Sequence, residues 1–125
     1  MVMVVTQNGR AHHPGAHMNP TKNFGDILDC RWTVRNNGSV AGQCQLQIIN
    51  ARAPGGVIAT GPLVTIGPGA QAGLILLSPA LVDGVHAVAG SNNCGLDLIR
   101  PDGFPIAQHP FVLTMNVAGP VLITG

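Results

Sequence analysis

The sequence predicts an all-β fold in which two sheets of short strands pack face to face. Three observations carry that prediction. Apolar residues alternate with polar ones at a period of two along several runs, the pattern of a half-buried strand. The chain holds 17 glycines and 10 prolines, which break helices and build turns. It holds one lysine and no glutamate, the residues that normally coat exposed helix faces. No stretch sustains a 3.6-residue apolar period over three turns.

The elements follow in order. Val2 to Gln7 reads as a first strand, and Asn8 to Pro20 as an irregular loop rich in Gly, His and Pro. From Ile27 to Asn36, Leu28, Cys30, Trp32 and Val34 fall on one face and Asp29, Arg31, Thr33 and Arg35 on the other. Asn36-Asn37-Gly38-Ser39 reads as a tight hairpin turn, because Asn and Gly tolerate positive φ. Cys44, Leu46 and Ile48, alternating with glutamines, form the next strand, the expected partner of the one before. After Ala53-Pro54-Gly55-Gly56 comes a short strand at Leu63 to Ile66, closed by Gly67-Pro68-Gly69. Ala72 to Ser78 is apolar throughout and is expected to be a central strand covered on both sides. Val85 to Ala89 is a further short run. Cys94, Leu96 and Leu98 alternate with Gly95, Asp97 and Ile99, and Pro101-Asp102-Gly103 turns the chain. Phe111, Leu113, Met115 and Val117 end the pattern. This makes seven to nine strands at the spacing of a sandwich.

The 125 residues suffice for one domain with one core, and 46% of them are hydrophobic. Only 9% are charged, against roughly 25% in ordinary soluble domains. A surface so poor in charge repels neighbours weakly and is cheap to desolvate, which suits faces that end against other proteins. A net charge of +1, with no Lys/Arg run, argues against nucleic acid and anionic membrane as partners. The apolar stretches are strand-sized, too short for a membrane span. The N-terminus lacks the basic region of a standard signal peptide, so either a signal is removed upstream or assembly takes place inside the cell.

Phe24-Gly25-Asp26-Ile27, Trp32 to Ser39, Gly42 to Ile48 and Ile66-Gly67-Pro68-Gly69 together resemble the CARDB-type immunoglobulin-like module of prokaryotic surface proteins and phage decoration (cement) proteins. The strand ending V-x-N-x-G and the turn I-x-P-G carry the likeness, which covers roughly residues 24 to 118. It implies an immunoglobulin-like antiparallel β-sandwich of 7–9 strands with an extended N-terminal arm. Residues 1–23 would then be arm and loop, 24–118 the sandwich and 119–125 a tail. The resemblance implies an adhesive or structural role and no catalytic residues. The antibody-domain hallmark is missing, since Cys30 shares a strand with Trp32 and there is no tyrosine.

The chemistry-bearing residues agree with that role. Cys30, Cys44 and Cys94 lie in apolar strand register without CxxC spacing and read as buried thiols, one disulfide among them being the other option. His12, His13 and His17 are the one candidate metal set, though Asp26 is the nearest acidic residue to support them. No Gly-x-Ser-x-Gly elbow, carboxylate pair or phosphate loop is present, so no catalytic residue and no cofactor is expected. Arg31 and Arg35 share a polar strand face suited to partner contact. Val2, Met3, Val4 and Val5, with Val121, Leu122 and Ile123, are apolar ends expected to be held by a neighbouring chain through strand addition. The expected role is a non-enzymatic virion or assembly component, such as a capsid decoration protein with protein partners in a homo-oligomer or larger assembly. The alternatives are an extracellular adhesion or filament subunit using donor-strand exchange and a small carbohydrate- or metal-binding module. The scarcity of aromatics counts against sugar stacking.

Overall fold

A computed structural model describes residues 3–6 and 19–116. Nine strands and one short 3₁₀ turn account for its regular structure: β1 (Met3–Thr6), β2 (Thr21–Lys22), β3 (Asp29–Asn36), β4 (Gly42–Asn50), the turn at Pro54–Gly56, β5 (Val57–Thr60), β6 (Val64–Ile66), β7 (Gln71–Leu77), β8 (Gly90–Ile99) and β9 (Pro105–Met115). Among the described residues there is no α-helix, as the turn-rich, Glu-free composition predicts.

The strands form two sheets. The smaller has the order β1-β3-β7, and the larger β2-β9-β8-β4-β5, with β6 paired to the start of β4. The first strand of the chain thus joins one sheet and the second joins the other. The larger sheet is mixed rather than purely antiparallel, because Thr21–Lys22 runs parallel to β9. These two residues also carry the sandwich past the boundary expected at residue 24.

The core lies between the sheets and follows the predicted alternation. Leu28, Cys30, Trp32 and Val34 from the β3 side meet Cys44, Leu46 and Ile48 of β4, Leu96 and Leu98 of β8, and Leu113 and Met115 of β9. Burying one such aliphatic side chain contributes roughly 1.5–3 kcal/mol.

Several expectations are corrected here. Strands β3 and β4 are not a hairpin pair: β3 pairs with β1 and β7, and β4 with β8, β5 and β6. The Asn36–Ser39 segment carries the chain from one sheet to the other. Asn36 makes this possible, since its fully buried amide donates to the carbonyls of Val40 (2.8 Å) and Ile66 (2.9 Å) while its Oδ1 accepts from the Gly38 N–H (2.8 Å). Strand β7 is an edge strand, not a central one. Leu74 and Leu76 are buried, but Ile75 and Leu77 are 51% and 54% exposed. The Val85–Ala89 run forms only an isolated bridge, Asp83 to Ala87. The missing strand is instead Val57–Thr60, whose residues pair with Gln47 to Ile49 across a bulge.

Candidate functional site

The polar face of β3 and the outward face of β7 form one surface. Their register sets Arg31 opposite Ile75, Asp29 opposite Leu77, Thr33 opposite Gly73 and Arg35 opposite Gln71. Arg31 grips Asp29 with two hydrogen bonds, Nε to Oδ1 at 3.0 Å and Nη2 to Oδ2 at 3.1 Å. That contact holds the Asp29 carboxyl below its ordinary range. Both side chains are well exposed, so water screens the pair and it fixes geometry more than stability. Arg35 has no carboxylate partner among the described residues. The surface is therefore a short apolar stripe, Ile75 and Leu77, bordered by one internally neutralised pair and one guanidinium.

Strand β7 presents a second feature: its edge away from β3 has no pairing strand among the described residues. The Ala70 carbonyl accepts from the Asn36 N–H at 2.9 Å and the Ser78 N–H donates to the Leu28 carbonyl at 2.9 Å. In an antiparallel ladder these alternate residues face the partner strand, so the backbone groups of Gly73 and Ile75 face away from β3. Beside that edge lies a cleft of about 190 Å³, lined by Leu46, Gly61, Pro62, Val64, Gly73, Leu74 and Ile75. It opens where the two sheets part, between β7 and the β5–β6 link. Leu63, on its rim, is 45% exposed.

Charge is distributed unevenly around this place. No Asp, Glu, Lys, Arg or His occurs from Ala53 to Val82, thirty consecutive residues that include β5, β6 and β7. Five of the nine large exposed apolar side chains among the described residues fall in that stretch: Val57, Leu63, Ile75, Leu77 and Val82. The segment that builds β5, β6 and β7 thus contributes no charge to its flank of the sandwich.

The sequence-predicted contact residues fall as follows. Arg31 and Arg35 lie on the surface just described. Met3, Val4 and Val5 belong to β1, where Met3 pairs with Asn36, Val4 with Arg35 and Val5 with Val34 of the same chain. The expectation of an arm held by a neighbour is corrected for these residues, because β3 of their own chain already pairs with them. Val2, Val121, Leu122 and Ile123, and the histidines His12, His13 and His17, lie outside the described residues. Among the described residues no three His, Cys, Asp or Glu side chains come together as a metal set. Ile75 and Leu77 were missed because an uninterrupted apolar run reads as buried on both faces. The lack of any charge from 53 to 82 was the available signal.

Several other reactive groups are engaged or shielded. All three cysteines are free and buried, and burial pushes the Cys30 thiol up to about 11 and Cys94 up to about 12. Cys44 is raised by burial as well. The Ser78 hydroxyl accepts from the Leu28 N–H and donates to the Pro79 carbonyl. His86 Nδ1 accepts from the Val82 N–H at 2.9 Å. Asp97 is buried on the outer face of β8, where desolvation raises its carboxyl despite a hydrogen bond from Gln108. Phe104, an exposed aromatic, stacks under the Arg100 guanidinium at 5.2 Å. Nothing among these places a nucleophile beside a base.

No protein-family model matches the sequence, and no curated protein does. Solved structures share the fold at low identity. The alkylpurine DNA glycosylase AlkC of Pseudomonas fluorescens superposes with a TM-score of 0.54 at 14% identity, over 82% of this chain and 29% of that one. A β-glucosidase from Listeria innocua does so with 0.56 at 11%, over 93% of this chain and 16% of that one. The chain thus spans less than a third of either protein. A CARDB domain from Pyrococcus furiosus, in complex with di-metal ions, gives 0.50 at 9% identity, over 80% of this chain and 87% of that domain. The likeness is one of fold: an all-β sandwich that resembles, among others, a CARDB domain.

Proposed function

We propose that this chain is a non-enzymatic assembly protein of the CARDB-like kind that docks on other protein surfaces, as a capsid decoration protein or comparable virion subunit does. The observation that carries the reading is the flank to which residues 53–82 contribute no charge, where a strand edge unpaired among the described residues, an apolar cleft and exposed Ile75 and Leu77 lie together. Monomeric proteins blunt open edges with charges, prolines or bulges, and β7 has none of these between Gln71 and Leu77. Apolar patches of this kind mark contact sites.

A filament subunit accepting a donated strand is the second reading, favoured by the same open edge beside a cleft. The two differ in what the chain travels with. Gradient sedimentation of a lysate of the cells that make it, followed with an antibody, is expected to place the chain with capsid-sized particles. Migration as free 12.8 kDa protein would refute both assembly readings.

A further inference from the structure

We infer that the free edge of β7 pairs with β7 of a second copy, joining two three-stranded sheets into one six-stranded sheet across a two-fold axis. The inference rests on the assembly reading and names its occupant. Antiparallel pairing of one strand with itself is isologous, so each copy supplies the same patch to the other.

Two features of the flank favour a second copy over a foreign strand, and a third permits the pairing. The first is electrostatic. An edge without charge meets an edge without charge, and no ionic group in 53–82 is left unpaired and desolvated. The second is steric. Centring the two-fold on Leu74 sets Gly73 of one copy opposite Ile75 of the other on the outward face, a large side chain against a position without one. The open space around Gly73, where an added Cβ would meet nothing within 4 Å, accommodates it. The third is hydrogen bonding. The backbone groups of Gly73 and Ile75, which face away from β3, find identical groups aimed back at them. Pro62 and Leu63 of each copy then approach at the rim of the cleft, adding apolar cover.

The test is sedimentation equilibrium of the purified chain from about 1 to 500 μM, with amide hydrogen exchange on the same samples. A monomer–dimer equilibrium is expected, with slowed exchange of the Gly73 and Ile75 amides as the dimer fills. Ile75→Lys places a charge at the centre of the pairing and is expected to weaken dimerisation at least tenfold. Ile75 is half exposed, so the monomer fold should survive, as an unchanged Trp32 emission spectrum would verify. Val40→Lys, at an exposed apolar side chain outside the flank, is expected to leave dimerisation intact. A monomer at every concentration, or a dimer indifferent to Ile75→Lys, overturns this inference. Either result leaves the lysate sedimentation to decide the assembly reading on its own.

Discussion

Asn92 offers the sharpest test of how this sandwich is held together. It sits fully buried in β8, and its amide nitrogen donates to the carbonyls of Val88 (2.8 Å), Gly90 (3.0 Å) and Leu113 (3.2 Å). Its Oδ1 accepts from the Val88 N–H at 2.9 Å and from Asn50 Nδ2 at 3.2 Å. The side chain thus ties the loop before β8 to β9 and to the end of β4. An amide has two hydrogens, so the three donor contacts amount to two bonds with one shared. With two accepted bonds, Asn92→Ala removes roughly four hydrogen bonds at about 1 kcal/mol each, two of the contacts, to the Leu113 carbonyl and Asn50 Nδ2, being buried. The expected cost is about 4 kcal/mol. Urea denaturation followed by the fluorescence of Trp32, the single tryptophan, measures it by linear extrapolation. Asn93 is the internal control: it is exposed on the opposite side of the same strand, and its alanine variant is expected to stay within about 0.5 kcal/mol of the parent. A difference between the two variants below about 1 kcal/mol would refute the argument that buried amides pin the strand connections.

Three further outcomes follow from the core. Trp32 is 5% exposed and its Nε1 has no hydrogen-bond partner among the described residues. Trp32→Ala should therefore cost about 3–5 kcal/mol in urea melts followed by circular dichroism, and Trp32→Phe less than about 2, since it also removes the unsatisfied donor. The three thiols should resist Ellman's reagent in the native protein at pH 8 and all react in guanidinium; a fast native reaction would contradict their burial and raised titration. Asp97 binds its proton more tightly folded than unfolded, so its contribution to stability is complete below the unfolded carboxyl range and is lost as pH rises through the folded value. Asp97→Asn is accordingly expected to melt higher than the parent at pH 7, with the gain vanishing near pH 3; a variant that is less stable at pH 7 would reverse the sign of the argument.

The period-two signal located most strands because it reports one face buried and one wet. It identified the core side of β3 and β4, and of β8 at Cys94, Leu96 and Leu98 and β9 at Leu113 and Met115. It could not report which strands pair. The Asn36–Ser39 turn has hairpin chemistry, yet it crosses between sheets because the Asn36 side chain bonds Val40 and Ile66 instead of closing a two-strand ladder. Nor could it separate a fully buried strand from an edge strand with an apolar outer face. Gln71 to Leu77 and Gly90 to Ile99 show the ambiguity from both sides. The first looks buried all round and is half exposed, while the second carries Asp97 and Gly95 and is buried on both faces toward its end. The proposed contact surface was legible only in half, because Arg31 and Arg35 announce themselves by charge whereas Ile75 and Leu77 hide within an apolar run.

Composition points to function here through arrangement more than through amount. Spread evenly, eleven charged residues would give a surface that is weakly polar everywhere and selective nowhere. They are instead excluded from the thirty residues that build one flank, and one exposed guanidinium pair, Arg31 and Arg35, stands next to it on β3. Desolvating the flank costs little, because it holds no ion to strip of water. Arg31 carries its own carboxylate partner, Asp29, whereas Arg35 has none among the described residues and would be costly to bury, so Arg35 marks the border of the proposed contact. An apolar contact bounded by charge has a defined extent, and a defined extent is what separates a specific docking surface from an aggregation-prone edge.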